Sequence, residues 1–257
     1  MLKGLYTAYT GMVNEQNRMD VLTNNLANSA TTGFKKEGST SQTFKDVLAY
    51  KIKDSSENPN LARRIGINTP GVKIGENYTD YEQGAFKMTN NPLDIAIGGE
   101  GFFNIEFTNK AGETSTKYTR DGSFTMDKEG YVVTKDGDFV LGAGGKIKLD
   151  PLQAVAVDQT GAITQAGKKV AQLEITDFED YDYLEHYGEN MYQAVEGATM
   201  KKSDTVVFGG YLEASNVQVV SEMVEMMTVT RAYESSQRLI QTHDSTLDKT
   251  VNQIGRL

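Results

Sequence analysis

The strongest constraint on this chain is a run of helical signal from Val217 to Leu257, uninterrupted by Gly or Pro until Gly255. With Met223 at position a and Met226 at position d, a 4-3 hydrophobic repeat continues from Val219 to Ile254. The d row reads Val219, Met226, Tyr233, Ile240, Leu247 and Ile254; the a row reads Met223, Thr230, Gln237, Asp244 and Val251. One seam is apolar throughout and the other is polar in its middle, the pattern of a coiled-coil strand whose register is set by buried polar residues. Ser215 followed by Gln218 predicts a capping box, with Ala214 and Val219 as a weak staple. A helix from Val217 to Ile254 would be on the order of 57 Å long, and its apolar stripe requires a partner.

The first residues repeat that logic. Leu2, Leu5, Tyr9, Met12, Gln16, Met19, Thr23 and Leu26 alternate spacings of three and four. Pairing of the two terminal helices would bury both stripes, although two separate amphipathic core helices satisfy the same pattern. The first helix is expected to end near Asn28, with Gly33 supplying a left-handed turn. Residues 1–36 and 211–257 are therefore expected to supply the helices of a coiled-coil core, and the polar stretch 37–70 an extended arm or partly disordered linker.

From Val72 the period changes to two, and residues 71–210 are expected to form a central antiparallel β domain, a meander curled into a barrel-like or sandwich form. The whole is thus of the α+β class. Asp121-Gly122 is expected to turn a hairpin between Thr116–Arg120 and Ser123–Met126. Asp136-Gly137 and Gly161 mark further turns, Val170 to Phe178 a longer strand, and Asp177 to Asp182 a solvated acidic turn.

Composition narrows the function. The net charge of −9 disfavours nucleic acid. The absence of Cys removes disulfides and thiolate metal sites. Gly98-Gly99-Glu100-Gly101 lacks the Lys and Ser/Thr of a phosphate loop, and Asp127–Gly130 and Asp136–Asp138 lack calcium-loop spacing. Neither His186 nor His243 sits in a triad pattern, and no spacing singles out a carboxylate dyad. No cofactor, metal or catalytic residue is expected. Arg231 and Glu234 read as assembly or surface charges, and Glu234 with Arg238 as an i,i+4 pair. No apolar run reaches membrane-spanning length, and Asn14, Gln16, Asn17, Arg18 and Asp20 interrupt any signal-peptide core. Residues alone thus point to the cytoplasm.

Four blocks carry a resemblance. Thr23-Asn24-Asn25-Leu26-Ala27-Asn28 precedes Thr32-Gly33-Phe34-Lys35, and Leu93-Asp94-Ile95-Ala96-Ile97 precedes Gly101-Phe102-Phe103. Tyr118-Thr119-Arg120-Asp121-Gly122-Ser123-Phe124 follows, then Leu212-Glu213-Ala214-Ser215-Asn216-Val217 with Arg231-Ala232-Tyr233-Glu234. Together, and in this order, they resemble the bacterial flagellar rod and hook protein family; Thr32 stands where many relatives have Pro. With room for a single β domain the chain looks most like a distal rod subunit, with the proximal rod subunit as the alternative. The resemblance implies Asn24, Asn25, Asn28, Gly33, Phe34, Ser215, Asn216 and Arg231 as family-motif residues. It also implies self-association into a helical polymer, rod, hook or junction subunits as partners, and type III export without signal cleavage. That export places the chain in the flagellar basal body of the cell envelope and overturns the cytoplasmic reading. The assembly interface is then expected at Leu5, Tyr9, Met12, Met19, Leu26, Val219, Met223, Met226, Tyr233, Ile240, Leu247, Val251 and Ile254. From other classes, an envelope-acting glycan hydrolase and a coiled-coil adhesin are the competing readings.

Overall fold

The computed structural model describes residues 2–44, 47–51, 63–68, 71–109, 112–188, 190–203 and 205–254. The chain divides into two compact units. One comprises residues 1–27, 37–80 and 218–257, and the other residues 28–36 and 81–217. The division differs from the linear one expected: the segment after the first helix belongs with the β unit, and the polar arm belongs with the helices.

In the helical unit, α1 (Leu2–Ala27) and α2 (Val219–Lys249) pack on each other, and α2 continues as a π-helical turn, Thr250–Ile254. The pairing is antiparallel. A Cβ on Gly4 would lie 3.1 Å from His243 Nε2, and one on Gly11 3.8 Å from Ser236 Oγ. Further along, Arg18 pairs with Glu225 at 3.1 Å and Asn25 Nδ2 donates to Glu222 Oε2 at 3.3 Å. From Gly4 to Gly11 to Asn25, seven and then fourteen residues forward on α1 match seven and then fourteen back on α2, which keeps one face of each helix in contact.

That face is not the one hydrophobicity picked out. On α1 the buried side chains are Ala8, Thr10, Asn14, Val21, Leu22 and Asn25, whereas Leu5, Met12, Met19 and Leu26 are half-buried and Tyr9 is 53% exposed. On α2 the inward row is Glu222, Met226, Val229, Tyr233, Ser236, Ile240, His243 and Leu247, all buried or half-buried. Met226, Tyr233, Ile240 and Leu247 keep their place in it, but Met223, Gln237, Asp244 and Val251 are exposed. The pairing therefore does not bury both predicted stripes. Gly4, Ala8 and Gly11 are small enough for close helix approach, and small residues score low as a hydrophobic stripe. The side chain of Ile254 lies outside the described residues.

The capping box is not formed. Helix α2 begins at Val219 with no side-chain cap at Gln218, and Ser215 Oγ instead accepts from the Val217 N–H at 3.2 Å. That bond spans two residues, a turn rather than a helix start.

The arm is a β-ribbon. β1 (Glu37–Thr43) pairs antiparallel with β4 (Val72–Thr79), and β2 (Val47–Lys51) with β3 (Arg63–Asn68). Residues 45–46, 52–62 and 69–70 of the expected linker lie outside the described residues. The ribbon is anchored to α1: Ser41 Oγ donates to Asn14 Oδ1 at 3.0 Å, and Asn25 bonds both backbone groups of Glu37. Strand β1 carries no apolar alternation, since Glu-Gly-Ser-Thr-Ser-Gln-Thr presents only small and polar side chains, so backbone pairing and Asn contacts define it.

The β unit holds a large antiparallel sheet centred on Phe102–Thr108, with Thr114–Thr119 on one side and Phe139–Gly142 and Ile175–Phe178 also paired to it. Its core joins Ile95, Ile97, Phe103, Ile105, Phe124, Val132, Val140, Ile147, Leu149, Ile163, Leu173 and Val207. An aromatic cluster of Phe102, Tyr118, Phe178 and Tyr192 forms a second packed group. The Asp136-Gly137 turn and the Val155–Val157 to Ala162–Gln165 hairpin occur as expected.

Two strand readings and one turn reading are corrected. Asp121-Gly122 does not turn a hairpin: Gly122 O accepts from the Ile95 N–H at 3.0 Å, and a Cβ there would sit 1.6 Å from Ile95 O. The glycine serves a close backbone crossing, and Thr114–Thr119 pairs with Phe102–Thr108 instead. The strand expected from Val170 to Phe178 is two, Lys168–Gln172 and Ile175–Phe178, in different sheets. The acidic segment is not solvated throughout: Asp177 is 4% exposed and its Oδ1 accepts from the Phe178 N–H and the Tyr181 hydroxyl.

Candidate functional site

Within the β unit, residues from three separated motif blocks converge on one buried ion cluster. Gly33 carries φ +69°, and a Cβ there would lie 2.5 Å from the carbonyl carbon of Arg120, so glycine alone allows this approach. Its N–H donates to Glu213 O at 2.8 Å, which brings the next two residues inward. Phe34 is 2% exposed. Lys35 Nζ meets Glu213 Oε1 at 2.7 Å and donates to Glu82 O at 2.8 Å. Arg120 Nε lies 3.3 Å from Glu213 Oε2, close enough for ion pairing although the angle makes no hydrogen bond. The Arg120 guanidinium donates to the carbonyls of Gly99 and Gly101, and the Gly84 N–H donates to Glu213 Oε1. Lys35, Arg120 and Glu213 are each at most 4% exposed.

Asn216 extends the cluster. Its Oδ1 accepts from the Lys36 N–H at 2.7 Å and its Nδ2 donates to Glu82 O at 3.2 Å. Thr32 Oγ1 donates to Asp121 Oδ1 at 2.7 Å, a bond that Pro at this position would lack. Asn28 closes a turn through Thr31, whose N–H and Oγ1 donate to Asn28 O and Oδ1. The arrangement ties chain segments together rather than presenting a reactive group. Of the family-motif residues, Gly33, Phe34 and Asn216 lie in this clasp.

Lys35, Arg120 and Glu213 stand within the motif blocks, but nothing in their spacing announces an ion cluster, since 85 and 93 residues separate them. In the helical unit Asn25 is fully buried between Glu37 and Glu222, while Asn24 and Arg231 are exposed. Exposed apolar side chains remain on both helices: Tyr6 and Tyr9 on α1, and Val220, Met223, Val224 and Met227 on α2.

A second feature of the β unit is the Tyr181 phenol. Burial first, then its hydrogen bond to Asp177, pushes its pKa far above the ordinary tyrosine value. The unfolded chain releases this proton at about pH 10 while the folded unit retains it, so stability is expected to fall as pH rises past about 10. In Tyr181→Phe that loss should be much smaller; urea unfolding at pH 8 and pH 10.5 measures both slopes.

Three family descriptions match segments of the chain. They are the flagella basal body rod protein at residues 5–35, the flagellar hook protein FlgE/F/G D1 domain at 96–165, and the flagellar basal body rod FlgEFG protein C-terminal at 209–254. The flagellar basal-body rod protein FlgG of Bacillus subtilis (strain 168) is 33% identical over 275 residues, covering 98% of this chain and 99% of that protein. The chain belongs to the flagellar basal-body rod protein family. FlgG of Caulobacter vibrioides (strain ATCC 19089 / CIP 103742 / CB 15) is 33% identical over 267 residues, 97% of this chain and 98% of that one. FlgF of the same strain is 31% identical over 260 residues and covers both chains fully. The rod-family chain is a structural subunit, with similarity that favours the distal type. Its three matched segments hold Lys35, Arg120 and Glu213 respectively, so the clasp joins the parts by which the family is recognised.

Proposed function

We propose that this rod-family chain polymerises with copies of itself into the helical tube of the flagellar basal-body rod, as a distal-type subunit that transmits torque to the hook. The supporting observation is the apolar row Val220, Met223, Val224 and Met227, left exposed on α2, with Tyr6 and Tyr9 exposed on α1 towards the other end of the helix pair. Burial of such a row is favourable by about 25 cal/mol per Å². A head-to-tail contact whose rotation does not close generates an open filament.

Leu5, Met12, Met19, Leu26, Val219, Tyr233, Ile240, Leu247, Val251 and Ile254 complete the proposed assembly surfaces, together with Met226. In a polymer the coiled-coil core would form between subunits as well as within them. The chain would reach the envelope through the flagellar export apparatus without signal cleavage, span the periplasm of a diderm cell, and meet other rod, hook or junction subunits. It would need neither cofactor nor catalytic residue. Among the described residues no helix is long and apolar enough to cross a membrane.

Deleting the gene is expected to abolish swimming in soft agar and to leave basal bodies without a complete rod or hook in electron micrographs. Normal hooks in the deletion strain would refute the reading. The proximal alternative predicts instead that a tagged copy lies at the motor end of isolated basal bodies.

A further inference from the structure

The sequence has ten methionines and no cysteine, so thioether sulfur is the only sulfur the chain offers to an oxidant. The fold sorts these methionines. Met12, Met19, Met126, Met191 and Met226 are half-buried, whereas Met88 and Met200 are each 61% exposed, Met227 54% and Met223 46%. Met88 and Met200 lie on short strands of the β unit, Phe86–Met88 and Met200–Lys202, and Met200 Sδ accepts from the Tyr118 hydroxyl at 3.8 Å. Met223 and Met227 stand four residues apart on α2, a spacing that puts both on one helix face. They interleave there with exposed Val220 and Val224, while Met226 between them belongs to the half-buried row towards α1.

A small peroxide or hypohalous acid converts such a thioether to the sulfoxide. With hydrogen peroxide, a sulfur lone pair attacks one oxygen and the O–O bond breaks. The departing hydroxide takes the proton of the transferred hydroxyl and leaves as water, so sulfur loses the two electrons that peroxide gains. The product keeps the length of methionine but carries a polar, accepting oxygen. On a free subunit water satisfies that oxygen. Buried against an apolar neighbour it would have no donor, which weakens the contact by about tenfold for each oxygen. The row carries two such sulfurs, so the losses compound.

We infer that Met223 and Met227 form an oxidation-sensitive site, at which sulfoxide formation bars the free subunit from assembly while the same sulfurs in a finished rod are shielded from the oxidant. Reduction of the sulfoxides back to thioethers restores the subunit. The inference rests on the polymer reading of the α2 row, and its test separates the two.

Hydrogen peroxide is applied to the full-length monomer and to isolated basal bodies, and oxidation of each methionine is timed by peptide mass spectrometry. In the monomer Met223 and Met227 are expected to react roughly fivefold faster than Met226, because susceptibility follows exposure. In basal bodies both are expected to react about tenfold more slowly than in the monomer, for the same reason. Equal rates at Met223 and Met226 in the monomer would overturn the inference. Undiminished reactivity of Met223 and Met227 in basal bodies would overturn the polymer reading of this row, and the inference with it. Cells carrying Met223→Gln with Met227→Gln, whose amide oxygens stand in for the sulfoxides, are expected not to swim in soft agar, whereas Met223→Leu with Met227→Leu should swim like the parent. Protection in basal bodies combined with normal swimming of the Gln pair would overturn the inference alone. Immobility of the Leu pair would overturn it too, since apolarity would then not be what the row requires.

Discussion

Replacing Glu213 by alanine is expected to destabilise the β unit by about 3–5 kcal/mol, the cost of leaving buried charge without its counter-ion. Glu213 faces two cations, Lys35 Nζ at 2.7 Å and Arg120 Nε at 3.3 Å, and all three side chains are nearly inaccessible to water. Alanine would remove the carboxylate that faces both cations, and would also strip the Gly84 N–H of its acceptor. Lys35→Met should cost less, because Arg120 stays paired with Glu213 and still donates to the Gly99 and Gly101 carbonyls. Urea unfolding of the purified monomer, followed by near-ultraviolet circular dichroism, measures the difference. Equal stability of Glu213→Ala and the parent would show that the cluster contributes nothing to holding the three segments together.

The ion cluster was hidden in the sequence because nothing local distinguishes a buried Lys, Arg or Glu from a solvated one; only the fold brings residues 35, 120 and 213 within bonding distance. Elements with a strong period were legible. Both terminal helices, the Asp136-Gly137 turn and the hairpin around Gly161 follow from spacing and turn chemistry. What failed were places where a residue has two physical uses. Gly122 after Asp121 reads as a hairpin turn but is needed where its backbone touches Ile95. Strand β1 gave no period because it is anchored by Asn14 and Asn25 and needs no apolar face. On α1 the helix contact uses Gly4, Ala8 and Gly11, whose value is their small size.

The same displacement of the contact face yields the sharpest functional test. Met223 and Met226 lie three residues apart on α2, yet Met226 belongs to the half-buried row towards α1 whereas Met223 is 46% exposed. Met226→Asp is expected to put a charge against α1 and destabilise the helical unit by about 2–3 kcal/mol, with loss of assembly following from loss of the helix pair. Met223→Asp should leave monomer stability within about 0.5 kcal/mol of the parent, as for other surface substitutions. Under the proposed polymer it should nevertheless abolish rod formation, because the charge would be buried against a neighbouring subunit. Thermal unfolding of the monomer and swimming in soft agar separate the two effects. If Met223→Asp cells swim normally, the exposed row is not an assembly surface. If they do not swim while the monomer stays fully stable, α2 uses one face within the subunit and another between subunits. Gln237 and Asp244, exposed on α2, are then the polar groups available to set the register of that second contact.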